Sequence, residues 1–229
     1  MNYFPRQFAL ILAGMFVALL TGCSALRPTP VAPPAFYALG RGTSAALRVP
    51  RTAAPERNAL PTLLVSAPHA AAAFDSQRII YQRQAFRLEY FAHSEWVEPP
   101  ARMLAPLMVA ALDRSGVFRA VVATPSSVAA DLRLDTELVV LQHEFGSTPS
   151  RVRLTLRATL SDNSSRQVLG QVDLEHLANA SSEDAYGGVI AANQATQSML
   201  QALTVFCNQA VARWTSLGGT PAKGAVRRF

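Results

Sequence analysis

Two cysteines, four histidines and one Gly-Ser turn are the side chains here whose types could carry covalent or metal chemistry, and their spacing decides which kind is open. A zinc protease site needs two histidines one helical turn apart. His69, His93, His143 and His176 are scattered, and His143-Glu144 has no second histidine at that offset. Gly146-Ser147 in "FGSTPS" lacks the GxSxG pattern of a nucleophile elbow and reads as a turn between strands. No glycine-rich phosphate loop occurs, which leaves any ATP work to a separate subunit. Two cysteines make neither a disulfide framework nor a CxxC metal site. No catalytic residue, cofactor or metal is expected. Cys207, beside Phe206 on an apolar helix face, reads as a small buried hydrophobe. Cys23 differs, because in "LLTGCSALRPTP" it sits where an apolar run stops and a proline-rich stretch begins.

The residues upstream make Cys23 a chemical handle. Residues 1–22 carry one charge, Arg6, then an apolar run from Phe8 to Leu20 broken only by Gly14, then Thr21 and Gly22. A positive start, a short apolar run and small residues before a cut are the parts of a signal peptide. The run falls short of the about 20 apolar residues that a membrane span needs. Leu20-Thr21-Gly22-Cys23 resembles the lipobox of bacterial lipoproteins, which implies that the thiol receives a diacylglyceryl group and that Cys23 becomes the mature N-terminus. A multiply acylated cysteine anchors stably where one chain does not. Ser24 acts as the sorting residue in this resemblance. Lacking an aspartate there, the protein is expected at the outer membrane in preference to the inner one, on its periplasmic face.

Removal of residues 1–22 leaves 207 of the 229, enough for one domain with a real core. Half of the residues are hydrophobic and 16% are charged, which excludes a disordered chain. The formal charge is +6, with Lys223 the only lysine. An exported protein meets no nucleic acid, so the counter-charges to be expected are anionic headgroups or an acidic partner.

From Ser24 to Pro34 the prolines of "SALRPTPVAPP" predict an extended tether of roughly 30 Å at about 3.1 Å per residue. Short strands follow at "FYALG" (36–40) and "PTLLVSAP" (61–68), separated by a loop over 41–60. "RIIYQRQAFRLEYFAH" (78–93) reads as a hairpin turning around Gln82 to Gln84, with Phe86, Leu88 and Tyr90 on a packed face. Pro99 and Pro100 open a helix through "ARMLAPLMVAALDRSG", in which Pro106 predicts a kink or a late start. Strands follow at 117–124 and 131–145. In "RVRLTLRATL" (151–160) Val152, Leu154, Leu156, Ala158 and Leu160 alternate with Arg151, Arg153, Thr155, Arg157 and Thr159. "SDNSS" turns the chain into a partner strand at 166–178. A long helix capped near Ser181 or Ser182 carries Ile190, Ala195, Met199, Leu203, Phe206 and Val211 as its stripe, with Cys207 at the margin, and ends at Gly218-Gly219. The fold class expected is α/β (α+β): two layers, a mostly antiparallel sheet with two main helices packed on it. The segments are a signal peptide over 1–22, an acylated start and tether over 23–34, a domain over 35–217, and a basic tail over 218–229.

The order of these pieces resembles the auxiliary lipoproteins of ABC-type transporters, the family that includes paraquat-inducible protein C. It rests on the lipobox and tether, on "FYAL", on the hairpin, and on Trp96 with Glu98-Pro99 ahead of the first helix. Ser115-Gly116-Val117-Phe118 at the helix exit, the long L-x-L strands and an Ala-rich last helix agree. The resemblance implies a non-enzymatic subunit beside an ABC permease, an ATPase and an MCE-domain protein, moving phospholipids or other lipids between the two membranes of a Gram-negative envelope. Direct contact with lipid and self-association into a homo-oligomer are both left open. The alternative is an independent outer-membrane assembly or pilot lipoprotein that positions an outer-membrane protein or lipopolysaccharide. For docking, Arg151, Arg153 and Arg157 form one cationic row and Trp96 is an aromatic anchor. The bland readings are a solvated face for the arginines and a plug between hairpin and helix for the tryptophan.

Overall fold

A computed structural model describes residues 33–40 and 59–221. Its frame is a meander of three long antiparallel strands, β7 (Leu132–Glu144), β8 (Arg151–Asp162) and β9 (Val168–Asn179). Successive side chains on a strand point to opposite faces, so the alternation in β8 sends Val152, Leu154, Leu156, Ala158 and Leu160 into the core and the arginines to the other side. The turn after β8 is held by Asp162, whose carboxylate accepts the backbone N–H of Ser164 at 2.9 Å and of Ser165 at 2.8 Å. Its second oxygen accepts the Trp214 indole N–H at 2.8 Å, tying that turn to the last helix.

Along its other edge β7 receives three short strands in succession, β2 (Thr62–Val65), β3 (His69–Ala70) and β4 (Arg78–Gln84), all parallel to it. A 3₁₀ turn at Ala72–Phe74 links the last two. β2 carries β6 (Ala120–Ala123), whereas β4 carries β5 (Arg87–Trp96), and β5 carries β1 (Ala35–Tyr37). The nine-stranded sheet therefore forks on this side. Its longest ladders are antiparallel, as expected; the short parallel ones make it mixed, because each is fixed by a distant strand and leaves no local turn signal.

Two helices bury one side of this sheet. Helix α1 (Pro100–Arg114) starts with proline at its first turn, and Pro106 does not end it. The carbonyl that Pro106 leaves unpaired belongs to Arg102, and both residues lie on the exposed side, where water can take the lost bond. Helix α2 (Ala185–Ser216) lies over β8 and β9. Its cap is Asp184, not Ser181 or Ser182: the carboxylate accepts the Gly187 N–H at 2.8 Å, and the Ser182 hydroxyl donates to it at 2.7 Å. Ala195, Met199, Leu203, Phe206 and Val211 are buried as expected, but Ile190 is only half-buried, and Cys207 lies fully inside the stripe. Among the described residues no helix is long and apolar enough to cross a membrane.

The β4–β5 hairpin departs most from expectation. Its turn is Ala85-Phe86, not Gln82 to Gln84, and Phe86, Leu88 and Tyr90 are 102%, 45% and 51% exposed instead of packed. The helices pack over β8, β9 and β6, so this branch of the fork receives little helical cover. The loop over 41–60 lies outside the described residues except for Ala59 and Leu60.

Candidate docking face

On the face of the sheet opposite the helices, β7, β8 and β9 place their polar side chains in register. Arg151 pairs across the ladder with Glu144 and Asn179, Arg153 with Gln142 and Leu177, and Arg157 with Glu137 and Asp173. The three arginines share one face, as their spacing requires. Each is already engaged. Glu144 accepts from Arg151 Nε at 3.0 Å and from Arg153 Nε at 2.7 Å, and Gln142 donates to it at 3.0 Å. Arg153 reaches Glu175 at 2.7 Å with its other arm. Arg157 makes a two-pronged contact with Asp173 at 2.9 and 3.1 Å and a third to Glu137 at 3.3 Å. Arg133 lies against Asp135 at 3.0 Å.

The cationic row is thus one part of an ion-pair lattice, in which four arginines, Arg133, Arg151, Arg153 and Arg157, meet five carboxylates, Asp135, Glu137, Glu144, Asp173 and Glu175. Carboxylates on β7 and β9 flank β8, and the sequence distance between them hid the pairing. Burial pushes the Glu144 carboxyl up, but hydrogen bonds from Arg153, Gln142 and Arg151 outweigh it and hold the group at about 2. A net positive field is therefore absent from this lattice. What the face offers a partner is a flat array of fixed donors and acceptors.

Trp96 ends β5 with its ring 3% exposed, so it is a core residue and not a surface anchor. It lines a crevice with Ile79, Leu141, His143, Gly188 and Ala192 that leaves about 10 Å³ of free space, room for no more than a water molecule. The plug reading of Trp96 describes its position; the anchoring role expected of it has no exposed ring to use. Cys23 and Ser24 lie outside the described residues.

The residues first considered for chemistry are built into structure. Ser147 donates to the Pro149 carbonyl at 3.0 Å within the β7–β8 turn. His143 and Glu144 point to opposite faces of β7, the first buried and the second in the arginine lattice. His143 Nε2 lies 2.7 Å from the Ser150 hydroxyl, and the Ser150 N–H donates to Glu183 at 2.8 Å. Burial lowers the His143 pKa, with Glu183 and Asp184 opposing. Gly188 lets α2 approach the ring, since a Cβ there would sit 2.6 Å from His143 Nδ1. This joint between β7, β8 and the start of α2 was not legible beforehand; no spacing links His143, Ser150 and Gly188. The Cys207 thiol is pushed up to about 12 by burial and is chemically quiet. Among the described residues no group of His, Cys, Asp and Glu could hold a metal ion.

No curated protein matches this sequence. Solved structures share the fold. A DUF330 protein from Xanthomonas campestris is 20% identical over 80% of this chain and 97% of its own, with a TM-score of 0.64. An uncharacterized protein is 12% identical over 76% of this chain and 99% of its own, with a TM-score of 0.58. The family model described as the ABC-type transport auxiliary lipoprotein component matches residues 45–204, and the chain belongs to that family.

Proposed function

We propose that this protein is a lipid-anchored, non-catalytic auxiliary subunit of an ABC-type lipid transport system, docking onto an MCE-domain protein from the outer-membrane side. The observation that carries this reading is the family match over residues 45–204, joined to the lipobox-like stretch ending at Cys23. The MCE partner and the lipid cargo rest on the resemblance of the hairpin, Trp96 and helix-exit residues to the paraquat-inducible protein C family. Arg151, Arg153 and Arg157 are the proposed docking residues. Because each of these arginines is already paired with a carboxylate, they would recognise a partner through oriented hydrogen bonds, and the effect of salt on association would be small.

Affinity capture from detergent-solubilised envelopes tests this. The wild-type protein should retain an MCE-domain protein together with the permease and ATPase, and Arg153→Ser should reduce that retention. Undiminished capture by Arg153→Ser would remove the arginine lattice from the contact and leave the complex standing. Failure of the wild type to retain any MCE-domain protein would shift the function to that of an independent assembly lipoprotein.

A further inference from the structure

The tip of the β4–β5 hairpin is built unlike the rest of the surface. Its two-residue connection, Ala85-Phe86, holds Phe86 at φ +66°, in the left-handed region that favours glycine or asparagine and penalises a bulky side chain. The same ring is 102% exposed, so it gains nothing from burial in the fold. A phenylalanine that costs the turn conformational energy and touches no core has its use outside the domain. Leu88 and Tyr90 continue the apolar surface along one side of β5. On the other side Tyr81, Phe91 and Phe145 form a half-buried aromatic cluster, with Tyr81 4.6 Å from Phe91 and 5.7 Å from Phe145.

Arginines surround this apolar finger. The Arg83 guanidinium lies 5.0 Å from the Tyr81 ring, and that of Arg78 lies 4.2 Å from the Tyr90 ring. Among the described residues neither has a carboxylate at ion-pair distance; Arg87 pairs with Glu89 at 3.1 Å. Three cations therefore share the hairpin with two carboxylates, Glu89 beside Arg87 and Glu95 opposite Arg78 at its base, which leaves the end nearer the tip cationic. An exposed aromatic tip, tyrosines behind it and arginines whose stems lie along apolar surface is the composition of a membrane-interface element, in which rings sit at headgroup level and guanidinium groups meet phosphates.

The chain path agrees with a bilayer as the occupant. β1 runs parallel to β5, with Ala35 opposite Ser94 and Tyr37 opposite Trp96, so the chain comes into β1 from the tip side. From Ser94 back to Arg87 is about 24 Å of strand at about 3.4 Å per residue. Residues 23–34 can extend to about 35 Å at about 3.1 Å each, enough to span that distance.

We propose that the β4–β5 hairpin inserts Phe86 into the headgroup–acyl boundary of an anionic bilayer, with Arg83 and Arg87, the arginines nearest the tip, on lipid phosphates. The orientation relative to the anchor rests on acylation of Cys23, whereas the hairpin's affinity for lipid does not. The test therefore uses the unacylated chain from Ser24 onward, whose folded unit from Pro34 contains the whole described core. Flotation would be measured with vesicles of phosphatidylethanolamine and phosphatidylglycerol, and with phosphatidylcholine alone. The wild type should bind the anionic vesicles in preference and release at high salt. Phe86→Asn should weaken that binding by about tenfold while leaving thermal stability equal or higher. In Phe86→Trp the added emission should shift to the blue on vesicle addition and be quenched by brominated acyl chains; native Trp96 and Trp214, at 3% and 5% exposure, supply an unresponsive background. Absence of wild-type binding, or equal binding by Phe86→Asn, would overturn the proposal. So would a Phe86→Asn chain that keeps vesicle binding but loses capture of an envelope protein, which would make the tip a protein contact.

Discussion

Glu144 is the residue on which the open face turns. Its side chain is only 13% exposed and receives two arginines and one amide, so removing a partner strands a largely buried carboxylate. Because its folded pKa is depressed to about 2 from 4.5, the unfolded chain takes up the proton first as pH falls. The stabilisation is complete above about 4.5 and disappears as pH drops toward about 2. Glu144→Gln should therefore flatten the dependence of urea-unfolding free energy on pH within that window. A slope equal to that of wild type would mean that the contacts of Glu144 with Arg151 and Arg153 do not persist in solution. The lattice also changes what an arginine substitution means, because such a variant affects stability as well as docking, and melting temperatures must accompany any capture experiment.

At the scale of the element, α2 is the part that closes the core. Its buried line runs through Ala195, Met199, Leu203, Phe206 and Ala210, spaced three and four residues apart, and sits on the apolar side of β8. Small residues near its start let the backbone approach β7 closely, with Gly188 against the His143 ring. Asn193 fastens the chain leaving β1 to the helix: its carboxamide oxygen accepts the Gly40 N–H at 2.7 Å, and its amide donates to the Ala38 carbonyl at 3.3 Å. Leu203 is fully buried, so Leu203→Ala should destabilise the domain by about 2–5 kcal/mol in urea denaturation. A loss of a few tenths would mean that α2 does not hold this packing in solution.

For the whole molecule, anchoring and domain are separate problems. The folded unit begins at Pro34, and the acylation expected at Cys23 would attach it through a proline-rich spacer. Cys23→Ser should abolish metabolic labelling with palmitate and leave an unprocessed precursor; persistent label would place the anchor elsewhere. Ser24→Asp should move the mature protein toward the inner membrane, and unchanged fractionation would argue against outer-membrane sorting by this residue.

Local patterns in the sequence were sufficient for features that depend on neighbours along the chain. Strict alternation in 151–160 defined a strand and its two faces, and helical spacing defined α1 and α2; the run into Cys23 carries the proposed lipidation signal. Partnership across the sheet was decided only by tertiary structure. The carboxylates of Glu137, Glu144, Asp173 and Glu175 reach the β8 arginines through ladder register, which no single strand encodes. The same holds for Phe86, Leu88 and Tyr90, whose alternation predicts one apolar face but not whether a helix lies over it. In this fold both helices gather over the meander and β6, so these three residues remain at the surface while Ile79, Ile80 and Trp96 of the same hairpin join the core.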